Sequence, residues 1–265
     1  MEKVLLEKDS ITWGVFVQEV KDVGFLALPM ISVTLSQYFL QIISMMMVGH
    51  LGKLALSSTA IAISLCAVSG FSPLSTMVFN FVSYGFVHFS LEWWSFELLV
   101  FLSGLLPNPQ LETSVLSICL SIISTIYTIP EATGSAASAR VSNALGAGYP
   151  QAARLSVYAA MTLAVSEAIL VSSTIFASRR ILGYIFSNEQ DVVDYVTDMV
   201  PLMSISVIMD SLHGTLSGIA RGCGWQKLGA YVNLGAYYVF GIPIAIILGF
   251  WQLRRGKEYF KEILQ

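Results

Sequence analysis

Long apolar runs with few charges dominate this sequence and constrain its fold more than any other feature. The clearest run, at 23–48, reads from VGFLALPM to QIISMMMV. Crossing about 30 Å of hydrocarbon takes about 20 mostly apolar residues in a helix. Only 12% of the 265 residues are charged, against about 25% in a usual soluble domain. Since a water-soluble fold would leave large apolar areas exposed, the expected solvent is the bilayer.

The apolar runs predict an all-α, polytopic membrane protein with about seven transmembrane helices. They are too long and too uniformly apolar for a membrane β-barrel, whose strands have about ten alternating residues. A helix, in contrast, satisfies its own backbone hydrogen bonds in hydrocarbon. The predicted spans are 23–48, 54–72, about 84–106, 114–138, 155–177, 199–220 and 228–251.

Composition divides the chain into five segments. Residues 1–22 are charged, show no cleavable signal peptide, and are predicted to be a cytosolic amino-terminal tail. Residues 23–72 hold the first two helices, joined by a short turn at 49–53. The segments that follow are an irregular junction at 73–90, five helices within 91–251 and a charged tail at 252–265.

The connections carry the signals for loops and for orientation. Glycines and a proline in 140–154 predict an irregular loop, and 178–197 is predicted to be an acidic connection. Lys and Arg in short loops favour the cytosolic side. This places 140–154 and 221–227 in the cytosol, and 107–113 and 178–197 on the opposite side.

Several function classes lack support in the sequence. The net charge is only −3 and no Lys/Arg cluster is interleaved with aromatic residues, so a nucleic-acid partner is not expected. The three cysteines are odd in number and fit no metal site by spacing. No nucleophile motif or phosphate-binding loop is evident. We therefore expect neither an enzyme, nor a metal site, nor an organic cofactor.

Five acidic residues fall inside predicted spans, where a charged side chain costs about 2.5–3.5 kcal/mol on insertion scales. Burial disfavours the charged form of a carboxyl group, which lets such a group load and release a proton near neutral pH. Asp210 and Glu97 are interpreted as proton- or cation-binding residues, and Glu92 is left open between this role and a structural one. For Glu131 and Glu167, structural pairing with a neighbouring helix is favoured.

Two finer predictions concern the surroundings of these acids. Glu131 follows Pro130, where a break in the helix is expected to accommodate polar groups. His213 comes three residues after Asp210 and is a candidate partner for it.

Several segments resemble plant members of the multidrug and toxic compound extrusion (MATE) family. The most specific motifs are EWWSFE beginning at Glu92, RVSNALGAG beginning at Arg140 and ARGCGWQ beginning at Ala220. The resemblance covers about 23–72 and 91–256.

This resemblance implies a fold of two six-helix lobes around a central cleft. It implies secondary active transport: proton-coupled antiport that exports organic cations, flavonoids, alkaloids or other xenobiotics, with sodium the less expected coupling ion. The family's carboxylates on its seventh and tenth helices map onto Glu92, Glu97 and Asp210 as proton-coupling and substrate-binding residues. The implied partners are a small organic substrate, the lipid bilayer and, as a candidate, a full-length homologue. The implied location is the vacuolar or plasma membrane.

The sequence also departs from the family pattern. The pattern stops after Phe71 and resumes at Leu91, so the third to sixth helices are expected to be missing, as is the twelfth. We interpret the chain as a truncated form with an internal deletion. Since alternating access moves one bundle against another, the alternative function is a non-transporting isoform that associates with other membrane proteins.

Overall fold

A computed structural model describes residues 13–66, 96–244 and 247, and contains no strand within them. The prediction of an all-α membrane protein is confirmed. The junction at 73–90, Glu92 and the charged tail at 252–265 lie outside the described residues.

Apart from residues 67–95, which the structure does not describe, short connections join the helices. Four of those described, α1, α3, α4 and α6, are long and apolar enough to cross a membrane. Helical residues 96–103 precede α3. The bounds are α1 Trp13–Gly49, α2 Lys53–Cys66, α3 Pro109–Gly146, α4 Pro150–Ala177, α5 Arg179–Phe186, α6 Gln190–Gly222 and α7 Gln226–Leu234, followed by a π-helical stretch at Gly235–Gly241.

Helices extend further than the sequence predicted. α1 begins at Trp13 rather than at position 23. The predicted loop at 140–154 is wrong for most of its length, because α3 continues to Gly146 and only residues 147–149 separate it from α4, which begins with Pro150. Proline is well suited to the first turn of a helix, so it starts a helix here instead of interrupting one. The connection at 178–197 likewise contains α5 and the beginning of α6.

The expected break at Pro130 is also wrong, because Pro130 lies inside the continuous helix α3. A proline removes one backbone hydrogen bond, and membrane helices tolerate this when nearby hydroxyl groups and neighbouring helices satisfy the freed groups. Glu131 therefore lies in a continuous helix.

The chain separates into two compact units, each described by itself. Of the described residues, unit 1 comprises 13–50 and 118–225, and unit 2 comprises 51–66, 96–117, 226–244 and 247. The core of unit 1 is built largely of small side chains, which let membrane helices approach closely. Its members are Val23, Ala27, Ala136, Ala137, Ala159, Ala160 and Ile219.

In unit 1, α3 and α6 run in the same direction and meet backbone to backbone. A Cβ atom added at Gly134 would lie 2.5 Å from the carbonyl oxygen of Gly214, and one at Gly222 would lie 2.8 Å from that of Ser138. A Cβ at Gly218 would overlap the backbone of Gly134. Because residues four apart share one helix face, these glycines of α6 form a single stripe that only small residues can occupy.

The α4–α5 segment runs antiparallel to α6. The Ser172 hydroxyl of α4 donates to the carbonyl oxygen of Ser204 at 2.8 Å. Further along, the Thr197 hydroxyl donates to the carbonyl oxygen of Arg179 at 3.2 Å. α6 is thus held between α3 on one side and α4–α5 on another.

Within unit 2, hydroxyl hydrogen bonds and aromatic packing connect the helical segments to one another. The Ser114 hydroxyl donates to the carbonyl oxygen of Lys53 at 3.0 Å, and the hydroxyl oxygens of Ser103 and Thr113 are 3.0 Å apart. The rings of Phe96 and Tyr237 pack edge to face, with centroids 5.9 Å apart.

Candidate functional site

One turn of α6, residues 210–214, is flanked by acidic residues from two other helices. On the α3 side, a Cβ atom at Gly214 would lie 3.5 Å from the backbone nitrogen of Glu131. On the α4 side, the Glu167 carboxyl group faces the hydroxyl of Ser211. Asp210 begins this turn and is half-buried. The structure therefore places Glu131, Glu167 and Asp210 beside the same level of α6.

The surroundings of Glu131 and Asp210 are polar. Tyr38 of α1 lies close enough to Glu131 for a coulombic interaction, and the ring of Tyr127 borders Gly214. Glu131, Asp210 and His213 each make a hydrogen bond, an ion pair, a ring contact or an electrostatic interaction. The pairing of Asp210 with His213 stays a prediction.

Glu167 differs from the other acids in this group. Both of its carboxyl oxygens are shielded from solvent and neither has a hydrogen-bond partner, since the approach to Ser211 falls outside hydrogen-bond geometry. The pairing expected for Glu167 from the sequence is therefore wrong. An ionised carboxylate without partners is strongly disfavoured in such a place.

Glu97 lies in unit 2, where it is half-buried in the helical residues 96–103. Its neighbour Phe96 carries the ring that packs on Tyr237. Glu92, the first acid of the EWWSFE motif, lies outside the described residues. The proton-coupling roles of Glu97, Asp210 and Glu92 remain predictions.

Sequence reasoning missed a charged cluster in unit 1. Glu19, which is 9% exposed, accepts hydrogen bonds from Arg140 Nε at 2.5 Å and Nη2 at 2.6 Å. The Ser156 hydroxyl donates to the same carboxylate at 2.6 Å, and Asp22 lies 3.6 Å from Arg140. The cluster joins α1, α3 and α4. In the sequence, this cluster was visible only as an acid in the predicted tail, Glu19, and an arginine in the predicted loop, Arg140.

Comparison with known proteins identifies the family. The MatE family profile matches residues 86–247, more than half of the chain. The chain belongs to the MATE family. The motif-based expectation is thereby confirmed, and the flanked turn of α6 lies within the matched region.

Curated MATE relatives are longer than this chain. It is 55% identical over 192 residues to Protein DETOXIFICATION 12 of Arabidopsis thaliana, covering 70% of this chain and 40% of that protein. It is 60% identical over 167 residues to Protein DETOXIFICATION 14 of Arabidopsis thaliana, covering 63% of this chain and 34% of that protein. The chain thus spans less than half the length of these relatives.

A solved MATE structure shares the fold. The crystal structure of the eukaryotic MATE transporter AtDTX14 superposes with a TM-score of 0.78 and 34% sequence identity, covering 91% of each chain. The helical MATE fold and the integral, multi-pass membrane character of this chain follow from the family match, this structure and the four membrane-length helices.

Proposed function

We propose that this chain belongs to a proton-coupled antiporter that exports organic cations, flavonoids, alkaloids or other xenobiotics. The observation that carries the proposal is Asp210, a half-buried carboxylate in an apolar, membrane-length helix. Acids in such segments are rare and mark ion and proton pathways. Glu97, and Glu92 beside it in the EWWSFE motif, would serve as further proton-coupling and substrate-binding groups.

The mechanism follows from competition for a carboxylate. An ionised Asp210 attracts an organic cation, and a protonated Asp210 does not. Binding of a proton therefore favours release of the cation, and the reverse exchange resets the site. The half-buried position of Asp210 strengthens this competition, because charges interact more strongly where water is partly excluded.

The remaining parts of the proposal rest on the family. Relatives named for detoxification support a small xenobiotic substrate. We propose a vacuolar or plasma membrane location and protons, rather than sodium, as the coupling ion.

Purified protein in sealed liposomes loaded with ethidium tests the proposal. An inward proton gradient should drive ethidium efflux, and Asp210→Asn or Glu97→Gln should abolish the gradient-driven part. Asp194→Asn, on the exposed part of α6, is the matched control and should transport normally. Efflux that ignores the gradient, or that survives Asp210→Asn, would refute the assigned role.

The second candidate is a non-transporting isoform that associates with a full-length homologue. The observation that favours it is internal: the family pattern stops after Phe71 and resumes at Leu91, whereas alternating access requires two bundles that move against each other. Co-reconstitution with a full-length homologue separates the two candidates. The isoform reading predicts no flux from this chain alone and altered flux from the mixture.

A further inference from the structure

The strongest feature left unused by the proposed function is Glu167, on α4 at the level of Asp210. Its two carboxyl oxygens are enclosed by protein and have no hydrogen-bond partner. Nearly all buried polar side-chain atoms in proteins are hydrogen-bonded, so an exception calls for an explanation. Purely structural burial would be served better by an apolar residue at this position.

The orientation of Ser211 limits what Glu167 can be. The Ser211 hydroxyl donates its hydrogen to the carbonyl oxygen of Val207 at 2.8 Å, and Ser211 itself is 1% exposed. A hydroxyl group has one hydrogen to donate and two lone pairs to accept with. While Ser211 donates to Val207, it can offer only a lone pair to Glu167. Only a protonated carboxyl group can form a bond with that lone pair.

We propose that Glu167 is a further proton-binding carboxyl of the transport site, protonated at rest and donating to the Ser211 hydroxyl beside Asp210. The Glu167 carboxyl then donates to the Ser211 hydroxyl, which in turn donates to the carbonyl oxygen of Val207. Loss of the proton reverses the first bond, because the ionised carboxylate must accept from Ser211, which then releases Val207. The protonation state of Glu167 is thereby linked to the hydrogen bonding of the backbone turn that precedes Asp210.

This inference rests on the proposed function for its role in coupling, but not for the protonated state of Glu167. The state can be measured without transport. Infrared spectroscopy of the full chain in liposomes at neutral pH detects the C=O stretch of protonated carboxyl groups, which shifts in D2O. We expect Glu167→Gln to remove one such band and the matched control Asp194→Asn to leave the spectrum unchanged. If the spectrum of Glu167→Gln keeps every protonated-carboxyl band, the proposal is overturned.

A second variant guards against misfolding of the first. Ser211→Ala removes only the hydroxyl and keeps Glu167, so the band should persist at a shifted frequency. An unshifted band would overturn the donation to Ser211.

Flux then decides the coupling role. In liposomes where wild-type protein drives ethidium efflux with a proton gradient, Glu167→Gln should lose gradient-driven efflux and Glu167→Asp should restore part of it. Wild-type rates in Glu167→Gln would overturn the role in coupling. If the wild-type chain shows no gradient-driven efflux, the proposed function fails and the coupling role falls with it, whereas the infrared result still decides the protonated state.

Discussion

Glu19 is a buried glutamate and Glu167 a half-buried one with a shielded carboxyl group, and the two lie in the same compact unit with opposite surroundings. The Glu19 carboxylate accepts three hydrogen bonds, two from Arg140 and one from Ser156. Both oxygens of Glu167 are hidden from solvent but have no hydrogen-bond partner. A buried charge is retained when it is paired and hydrogen-bonded, and is otherwise neutralised.

The difference separates a structural carboxylate from a functional candidate. Glu19 ties α1 to α3 and α4 through a bidentate contact, the geometry in which arginine binds carboxylates most specifically. Glu167 makes no ion pair, and lies beside the turn of α6 that carries Asp210. The following changes test this contrast, beginning with the largest expected loss of stability.

Arg140→Gln should have the largest effect, because it leaves the Glu19 carboxylate buried without its cation. We expect a loss of about 3 kcal/mol in the free energy of unfolding, the low end for a broken buried pair, since the Arg140 side chain is 33% exposed. Unfolding in mixed detergent micelles, followed by circular dichroism, provides the measurement. Arg154→Gln, at an exposed position on α4, is the control and should be neutral. Equal stability of the two variants would contradict a structural role for Glu19.

Gly218→Ala tests the close contact of α3 with α6, one turn beyond the level of Glu167. The added methyl group would overlap the backbone of Gly134, so α3 and α6 must separate, at an expected cost of about 1–3 kcal/mol. Gly24→Ala on α1 has open space around its new methyl group and should be neutral or slightly stabilising. If both alanine variants unfold alike, the close contact of α3 with α6 is wrong.

Ser156→Ala removes one of the three hydrogen bonds to Glu19 and keeps the ion pair. A hydrogen bond to a charged group contributes about 1.5–3 kcal/mol, and we expect the lower value because Arg140 remains. The same unfolding assay should place this variant between wild type and Arg140→Gln. A loss as large as that of Arg140→Gln would show that Ser156, rather than the ion pair, dominates the cluster.

Glu167→Gln should have the smallest effect on stability, within about 0.5 kcal/mol. Glutamine has the shape of a protonated glutamate and can donate an N–H to Ser211 in the same way, and the wild-type residue has no ion pair to lose. Glu19→Gln provides the matched comparison, since the same exchange there removes the charge that Arg140 binds. If Glu167→Gln unfolds as readily as Glu19→Gln, then Glu167 is an ionised, paired residue and the contrast fails.

The sequence predicted what depends on local pattern. Apolar runs identified the membrane helices, and motifs such as EWWSFE and RVSNALGAG identified the family. Asp210 could be selected because an acid in an apolar run is conspicuous without knowledge of its neighbours. The continuation of α3 to Gly146 was missed because glycine and proline mark helix ends as well as loops, and local sequence does not distinguish the two.

The contrast between Glu19 and Glu167 could not be predicted, because it depends on distant residues. Glu19 lies among charged residues typical of a solvated tail. Its hydrogen-bond donor Arg140 comes 121 positions later in the chain. Glu167 was expected to be paired, since a buried acid usually is. Only the three-dimensional arrangement of α4 and α6 shows that its neighbour is Ser211, whose hydroxyl already donates its hydrogen to the Val207 carbonyl oxygen.

The most direct test of the proposed function is proton movement linked to substrate movement. Liposomes containing the purified chain and a trapped pH-sensitive dye, with no initial proton gradient, would receive external ethidium. Antiport predicts that ethidium entry expels protons and raises the internal pH, and that Asp210→Asn abolishes this change. Ethidium entry at the wild-type rate with no change in internal pH would contradict proton-coupled antiport.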